Sequence, residues 1–277
     1  MSNLDDGQRP RSSLAGRVAV VTGGGAPPED HGFNIGAAIA IRLACAGAHV
    51  VVLDLDHAAG TRTVERIAVA GGSGTVIAGD VTNRADCDRA LAGTFVAHGR
   101  VDILINNAAV LGEARSIEAG DEEFLRTIDV NLMGAVRMCR AFMTIQRRGG
   151  AIVNVSSVGA LRACGTIDYA ASKGAMNSLT KALAQQFGPA GVRVNAICPG
   201  MIWTPMNHRN LVALGYDDGA IAAARHERSA ACLLAGEGSA WDIADATRFL
   251  ASDEAAWITG AVLVVDGGFT SRWPASV

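Results

Sequence analysis

The sequence carries one pair of side chains whose types and spacing suit proton transfer, Tyr169 and Lys173. Residues four apart lie on the same face of a helix. A tyrosine hydroxyl has an ordinary pKa of about 10, which is too high for an efficient base at neutral pH. Because a neighbouring ammonium group favours the phenolate, we expect Lys173 to lower the pKa of Tyr169 and Tyr169 to act as the acid–base group. Such pairs also occur on ordinary solvated helix faces, so the meaning of this one depends on its surroundings.

Polar residues at two other places are candidates to complete such a site. Ser156 and Ser157 end an apolar run, and Ser157 comes twelve residues before Tyr169. The Ser157 hydroxyl could donate to a substrate oxygen, whereas strand-end capping explains Ser156 well. Asn131 falls within an amphipathic stretch from Phe124 to Phe142, and because asparagine is unfavourable inside a helix we expect it to have a polar role. A structural hydrogen bond is the alternative for Asn131.

The elements that must position these residues are short β-branched runs separated by helix-length stretches. The predicted strands are Val18–Thr22, His49–Asp54, Gly74–Ala78, Val101–Asn106, Ala151–Ser156, Val192–Ile197 and Ala261–Val265. Each is nearly all apolar, which is typical of parallel strands covered on both faces. The repeated strand–helix alternation predicts an α/β fold, a doubly wound parallel sheet of seven strands flanked by helices in a single domain.

A glycine-rich turn follows the first predicted strand. The turn runs from Thr22 through Gly25, and a helix begins near Ile35 and Gly36. Glycines there let the backbone approach a pyrophosphate, while the helix N-terminus supplies N–H donors and a positive dipole. A plain tight turn is the alternative.

These motifs, in this order, resemble the classical short-chain dehydrogenase/reductase family from about residue 14 to residue 269. Further matches are Asn106-Asn-Ala-Ala109 and the segment Pro199-Gly-Met-Ile-Trp-Thr204. The resemblance implies a Rossmann fold with strand order 3-2-1-4-5-6-7 and hydride transfer between a secondary alcohol or ketone and a nicotinamide cofactor. It implies that Ser157, Tyr169 and Lys173 are catalytic and that Asn131 is a fourth member, which holds a water. It also implies a homo-oligomer, a tetramer or else a dimer.

The resemblance assigns cofactor contacts as well. They are Thr22, Gly23, Gly25, Asn34, Ile35, Gly36, Asp54, Leu55, Asp80, Val81, Asn107, Ala108, Ala109, Tyr169, Lys173, Pro199, Gly200, Ile202 and Thr204. Three features depart from the family pattern. Thr22 and Gly36 are fourteen steps apart where the family has seven, and Asn34 stands where the family has glycine; we expect Asn34 to tolerate a left-handed backbone there. Ala109 also replaces a glycine, which is tolerated where φ stays negative.

The end of the second predicted strand indicates which nicotinamide cofactor is used. Asp54 closes that strand, and a carboxylate there accepts both ribose hydroxyls of NAD and repels the 2′-phosphate of NADP. The glycine-rich loop contains no Arg or Lys that would neutralise such a phosphate. The sequence therefore predicts NAD, with NADP less favoured. Asp56 takes this role if the strand ends later, and a helix cap or turn is the alternative for Asp54.

Composition and charge limit the remaining classes of function. A net charge of −3 over 277 residues gives no basic field for nucleic acid. Six cysteines and six histidines are scattered, which predicts neither a metal site nor a disulfide framework. No apolar run approaches the roughly 18 residues of a membrane span. We therefore expect a cytoplasmic protein with a small-molecule substrate and no membrane or nucleic-acid partner.

The predicted domain has a variable region near its end. Residues 1–13 are predicted to be a disordered lead-in, residues 14–277 form the domain, and residues 201–238 form an irregular substrate flap. Its apolar residues either face the substrate or pack beneath the flap: Met201, Trp203, Met206, Leu211, Leu214 and Tyr216. Its basic residues either recognise an acid or are solvated: His208, Arg209, Arg225 and His226.

Three other functions stay open at this point. One is an NADP-dependent 3-oxoacyl reductase of the fatty-acid type, against which Asp54 counts. Another is a reductase of C=C bonds, although enoyl reductases usually depart from the Ser–Tyr–Lys arrangement. The third is a non-catalytic regulator that binds NAD, since a fold does not fix a function.

Overall fold

The central element of the computed structural model is one parallel sheet of seven strands. The model describes residues 10–28, 32–112, 114, 116–146, 148–162 and 164–272. The strands are β1 (Val18–Thr22), β2 (His49–Asp54), β3 (Ser73–Ala78), β4 (Ile103–Asn106), β5 (Gly150–Val155), β6 (Val192–Pro199) and β7 (Val262–Val265). Their order is β3-β2-β1-β4-β5-β6-β7 and every pair is parallel, which confirms the predicted doubly wound sheet.

Helices cover both faces of this sheet. They are α1 (Ile35–Cys45), α2 (His57–Val69), α3 (Arg84–His98), α4 (Asp121–Ile128), α5 (Gly134–Ile145), α6 (Ile167–Phe187), α7 (Pro205–Ala213), α8 (Asp218–Ala230) and α9 (Ala240–Ala251). One π-helical turn, Asp129–Met133, joins α4 to α5 without a break. None of the helices in the described residues is both long and apolar enough to cross a membrane.

Alternate residues of the central strands pack into two cores, one on each face of the sheet. Ala19 and Val21 of β1 pack with α1 and α9, whereas Val20 packs on the opposite face with Met138 and Phe142 of α5. This is the period of two that a strand imposes. All five residues of β1 are buried.

The prediction that every strand is covered on both faces is wrong for the outer strands. Ser73, Thr75 and Ala78 of β3 are exposed, and all four residues of β7 are only partly buried. Both strands lie at sheet edges, where one side has no neighbouring strand. Edge positions tolerate polar and small residues.

The predicted flap is more regular than expected, because residues 201–238 contain α7 and α8. Both helices have start signals that the sequence analysis passed over. Thr204 and Asn207 form a reciprocal cap and Pro205 occupies the first helical position of α7, while the Asp217 carboxylate accepts from the Ala220 N–H at the start of α8. The lead-in prediction falls largely on residues 1–9, which lie outside the described residues, and Ser13 N–H donates to the Pro10 carbonyl in a turn.

Two glycines test how closely the chain packs where β1 meets α1. A Cβ at Gly36 would overlap the Gly23 carbonyl oxygen and the Asn107 side-chain amide, whereas a Cβ at Gly93, inside α3, would meet nothing within 4 Å. We expect Gly36→Ala to lower the free energy of unfolding by about 1–3 kcal/mol. Gly93→Ala, the control, should raise it by about 0.5–1 kcal/mol because alanine favours a helix. Urea unfolding measures both, and a Gly36→Ala variant as stable as the wild type would contradict the close packing.

Candidate active site

A cavity of about 1380 Å³ opens at the carboxyl ends of the strands. In open parallel sheets ligands bind at this edge, where the strand order reverses beside β1 and β4. Every residue predicted to contact cofactor or substrate lines this cavity except Thr22 and Asn131, both of which are buried behind its wall. The structure therefore brings the predicted residues to one place, and their roles stay predictions.

Thr22 ties the ends of β1 and β4 together at the floor of the cavity. Its hydroxyl donates to the Ile105 carbonyl (3.3 Å) and accepts from the N–H groups of Asn107 (3.0 Å) and Ala108 (3.1 Å). The Asn107 side chain returns to the Thr22 and Gly23 carbonyls at 3.0 and 2.8 Å. Thr22 thus supports the cavity rather than lining it.

Asp54 anchors the glycine-rich turn. One carboxylate oxygen accepts from the Gly25 N–H at 2.7 Å, and the other accepts from the Asp56 N–H at 3.0 Å. A Cβ at Gly25 would come 2.7 Å from both the Asp54 oxygen and the Ala59 Cβ. Only glycine lets the turn lie this close to the carboxylate, which places Asp54 beside the glycine-rich turn. Asp56 caps α2 instead, accepting from Ala58 and Ala59.

The expected left-handed backbone at Asn34 is wrong. Asn34 has φ −66° and ψ 149°, an extended conformation, and among the described residues only glycines have positive φ. Its side-chain amide donates to the Gly25 carbonyl at 3.1 Å and does not cap α1. The longer loop reaches α1 without a left-handed residue. Because Asn34 does not cap the helix, the first N–H groups of α1 have no side-chain partner. At Ala109 φ is also not positive, as the alanine requires.

The lengthened loop is fastened at both of its described ends. The Ala26 N–H donates to the Ala59 carbonyl at 3.0 Å, and Arg62 Nε donates to the Ala26 carbonyl at 2.9 Å. At the other end the Phe33 ring lies against Trp241 of α9, with ring centroids 4.8 Å apart. Residues 27 and 28 line the cavity, as does Arg62. The loop therefore forms one wall of this end of the cavity.

Tyr169 and Ser157 face each other across the other end of the cavity. Burial raises the pKa of Tyr169, and a hydrogen bond with Ser157 opposes that rise. A separation of twelve residues in the sequence therefore brings the two side chains together. The Ser157 hydroxyl also accepts from the Gly159 N–H at 3.0 Å. Ser156 is buried, and its hydroxyl donates to the Lys173 carbonyl at 3.1 Å, so Ser157 is the serine that faces the cavity beside Tyr169.

Lys173 is a charged side chain that is almost completely buried, with 2% of its surface exposed. Its ammonium donates to the Val155 carbonyl at 2.8 Å and lies 5.5 Å from the centroid of the Tyr169 ring. Burial lowers the pKa of Lys173 to about 8. The expectation that Lys173 lowers the pKa of Tyr169 is not met in this structure, because the ammonium is directed at Val155 and burial dominates at the phenol.

Asn131 sits in the π-helical turn between α4 and α5. Its Oδ1 accepts from the Val110 N–H at 2.8 Å, and its Nδ2 donates to the Val110 carbonyl at 3.0 Å and to the Ser172 hydroxyl at 3.1 Å. The side chain therefore joins the loop after β4 to α6, beside Lys173. π-Helical turns of this kind often occur at functional sites.

The segment after β6 closes the cavity. Pro199, Gly200, Ile202 and Thr204 all line it. A Cβ at Gly200 would overlap Asp266 after β7, so the turn must be glycine. The Ile202 N–H donates to the Gly200 carbonyl at 2.9 Å, and the Thr204 hydroxyl donates to Asn207 at 2.8 Å.

The flap residues divide between the main cavity and other surroundings. Met201, Met206 and Arg209 line the main cavity, whereas Trp203 and Arg225 line a separate cavity of about 600 Å³. Leu214, Tyr216 and His226 are exposed.

Sequence analysis missed several residues that line the main cavity, among them Arg62, Val110, Leu111, Cys164 and Arg228. No local motif marks these residues, and only the fold places them here.

Comparisons with known proteins agree with the fold and the cavity. A family model described as enoyl-(acyl carrier protein) reductase matches residues 32–270. The short-chain reductase protein NovJ of Streptomyces niveus is 37% identical over 91% of this chain and 93% of its own length. The chain therefore belongs to the short-chain dehydrogenase/reductase family, and it is an oxidoreductase of the kind that acts on alcohols or ketones with a nicotinamide cofactor.

Solved structures show the same relationship. A protein of Burkholderia xenovorans described as a short-chain dehydrogenase/reductase superposes with a TM-score of 0.88 at 35% identity, covering 96% of this chain and 100% of that one. A 7α-hydroxysteroid dehydrogenase in complex with NADH and 7-oxo-glycochenodeoxycholic acid gives a TM-score of 0.82 at 29% identity, covering 97% and 98%.

The buried ammonium predicts a gain in stability when Lys173 is removed. A pKa of about 8, against an ordinary 10.5, means that folding disfavours the charged form. At pH 7 the group is charged in both states, so it costs the folded protein about 3 kcal/mol. We expect Lys173→Met to raise the free energy of unfolding at pH 7 by about 1–3 kcal/mol and to gain less as the pH rises from about 8 toward 10.5.

Urea unfolding at neutral and alkaline pH measures this difference. Lys181→Met is the matched control, because Lys181 is exposed on the same helix. It should change stability by less than about 0.5 kcal/mol. A Lys173→Met protein less stable than the wild type at pH 7 would show that the ammonium is stabilised rather than strained by its surroundings.

Proposed function

We propose that this protein is an NAD-dependent dehydrogenase that transfers a hydride between a secondary alcohol or ketone and the cofactor. The observation that carries the proposal is the meeting of Ser157, Tyr169 and Lys173 in the same cavity that reaches Asp54. Alcohol oxidation needs a hydride acceptor, a group that takes the hydroxyl proton and a donor that orients the oxygen, and this arrangement supplies places for all three.

The residues at the phosphate end fit a dinucleotide. The first turn of α1 has no side-chain cap, so its N–H groups are open to an anion. The glycine-rich turn lies flat against Asp54, as close backbone approach requires. Arg62 lies at the same end, but its Nε bonds the Ala26 carbonyl and its guanidinium lies 3.8 Å from Asp56. Its charge is thus partly neutralised, and Asp54 favours NAD over NADP.

Each site residue has a distinct part in the proposed reaction. Bound NAD⁺ supplies the hydride acceptor. The Ser157 hydroxyl donates to the alcohol oxygen and holds it beside Tyr169, and the Tyr169 phenolate removes the hydroxyl proton. Lys173 binds the ribose hydroxyls, which draws its ammonium toward the cofactor, and its positive charge then favours the phenolate. In ketone reduction the proton returns from Tyr169.

Asn131 has a supporting part. The Asn131 side chain already forms hydrogen bonds with Ser172 and with the backbone of Val110. The proton-path water that we assign to Asn131 therefore binds beside these hydrogen bonds.

The hydrogen bond between Ser157 and Tyr169 favours reduction of C=O over reduction of C=C, although the matching family model is described as an enoyl reductase. This pair of hydroxyls places a hydrogen-bond donor, Ser157, and an acid, Tyr169, at the same substrate oxygen atom.

A homo-oligomer, a tetramer or else a dimer, is part of this proposal. Leu125 of α4 and Ile167 of α6 are 62% and 40% exposed, and β7 is only partly buried. Apolar surface of this kind is typical of subunit contacts. The cytoplasmic location stays a prediction.

The first test removes one oxygen atom from the site. Tyr169→Phe should lower turnover by at least about 10²- to 10⁴-fold because the acid–base group is lost. Its affinity for NADH should stay within a few-fold of the wild-type value. The chain has two tyrosines, so Tyr216→Phe is the matched control and should keep wild-type turnover. Reduced-nicotinamide absorbance with a panel of secondary alcohols measures all three proteins, and activity retained by Tyr169→Phe would rule out the assignment.

The second test removes the charge that selects the cofactor. Asp54→Asn should shift the ratio of kcat/KM for NAD⁺ over NADP⁺ toward NADP⁺ by about 10- to 100-fold, because repulsion of the 2′-phosphate is lost. Asp56→Asn is the control and should shift it far less, because Asp56 caps α2. An unchanged ratio in Asp54→Asn would show that another group selects the cofactor.

A further inference from the structure

Arg228, on helix α8 of the flap, is a cation at the cavity for which the proposed reaction has no use. It lines the main cavity with the catalytic candidates and is partly buried. Its Nε is fully buried and has no hydrogen-bond partner. Within the described part of the chain no carboxylate lies within ion-pairing distance of its guanidinium. A fully buried Nε without a partner on a cationic side chain is costly, so it calls for an explanation.

Three arginines near Arg228 in the fold have partners within the protein. Arg225, one turn earlier on α8, makes two bonds to the Glu237 carboxylate at 2.7 and 2.6 Å. Arg162 donates to the Phe269 carbonyl at 3.0 Å, and Arg272 donates to the Ala230 carbonyl at 2.5 Å. Arg228 differs from these three arginines, because it lines the main cavity and its Nε has no partner.

Arg228 lies on the side of the cavity where the substrate must sit. A Cβ at Gly159 would lie 3.4 Å from the Ser157 hydroxyl oxygen and 3.7 Å from the Cys164 sulfur, so these two groups flank one small space. Burial raises the pKa of Cys164, and the positive charge of Arg228 opposes that rise. The guanidinium is thus close enough to act on a group beside Ser157, at the end of the cavity opposite Asp54.

The flap holds Arg228 in a fixed position. The Ser229 hydroxyl donates to the Gly236 carbonyl at 2.8 Å, and the N–H groups of Leu233 and Leu234 donate to the Gly267 carbonyl at 2.8 and 3.0 Å. These bonds join the end of α8 to the turn after β7. A guanidinium on a fixed helix is preorganised for a ligand.

The charges of the lining favour an anion at this end. The flap contributes Arg209 and Arg228 to the described lining but no carboxylate. Of the acids that α4 and the π-helical turn contribute, Asp129 is paired with Arg137 at 2.6 Å and Glu122 is exposed. Glu227, next to Arg228 in sequence, is exposed and does not line the main cavity; together with Arg228 it lines an adjoining small cavity of about 310 Å³.

We propose that Arg228 binds an anionic group, a carboxylate or sulfonate, on the alcohol or ketone that this enzyme converts. This inference rests on the proposed function and names the class of its substrate. The planar guanidinium suits two parallel bonds to such a group. The anion neutralises the buried charge while the hydroxyl or carbonyl lies between Ser157 and Tyr169. The substrate is therefore a hydroxy acid or oxo acid.

The test compares hydroxy acids and hydroxy sulfonates of increasing chain length with the corresponding neutral amides, in the wild type and in Arg228→Gln, Arg228→Lys and Arg225→Gln. We expect the wild type to prefer the best acid over its amide by about 10- to 100-fold in kcat/KM. Arg228→Gln should abolish this preference by raising the KM for the acid, and Arg228→Lys should keep part of the preference. Arg225→Gln removes the same charge from the same helix and should keep the full preference.

A second measurement separates this inference from the proposed function. Calorimetry records binding of the same acids and amides to the protein with and without NADH, and needs no turnover. If the panel is oxidised but acids and amides behave alike, or if Arg228→Gln and Arg225→Gln have equal effects, the role of Arg228 is wrong and the dehydrogenase stands. If nothing is oxidised, the proposed function fails; acid binding that Arg228→Gln removes would still support the anion site, and its absence would overturn it.

Discussion

The site depends on a positive charge buried at the end of β5. Lys173 has one hydrogen bond from its ammonium, to the Val155 carbonyl, and almost no contact with solvent. Transfer of an ammonium from water is unfavourable unless polar groups receive it, so the surrounding elements must bring carbonyls and hydroxyls to this point. The Ser156 hydroxyl donates to the Lys173 carbonyl and so ties α6 to the end of β5. Two turns further along α6, the Thr180 hydroxyl accepts from the Asn154 side-chain amide at 2.9 Å. The helix that carries the charge is thereby fixed against the sheet.

The same fastening places Tyr169, the proposed acid–base group. Because Tyr169 lies one turn before Lys173 on α6, the helix orientation that buries the ammonium also turns the phenol toward Ser157. Asn131 secures the far side, joining Ser172 of α6 to the loop after β4. Three elements distant in sequence therefore converge on the point where we propose that the substrate oxygen binds. A site held by rigid helices and strand ends can keep the geometry that proton and hydride transfer require.

Much of this arrangement could be predicted from the sequence because it follows from local rules. Apolar runs such as Val18–Thr22 mark buried parallel strands, and the spacing of Tyr169 and Lys173 places both on one helix face. The conformation of Asn34 could not be predicted, because the lengthened loop before it changes which backbone angles the turn needs. The direction of the Lys173 ammonium depends on a carbonyl from another strand. Arg228 carries no motif, and its position follows only from how α8 packs on the turn after β7.

The most direct test of the account follows a labelled hydrogen atom. Secondary alcohols carrying deuterium on the carbinol carbon, hydroxy acids among them, would be incubated with the enzyme and NAD⁺, and the reduced cofactor would be analysed by mass spectrometry. The account predicts that deuterium moves from the alcohol to the nicotinamide and that the labelled alcohol reacts more slowly. Tight binding of NADH with no label transferred from any alcohol or hydroxy acid would contradict it.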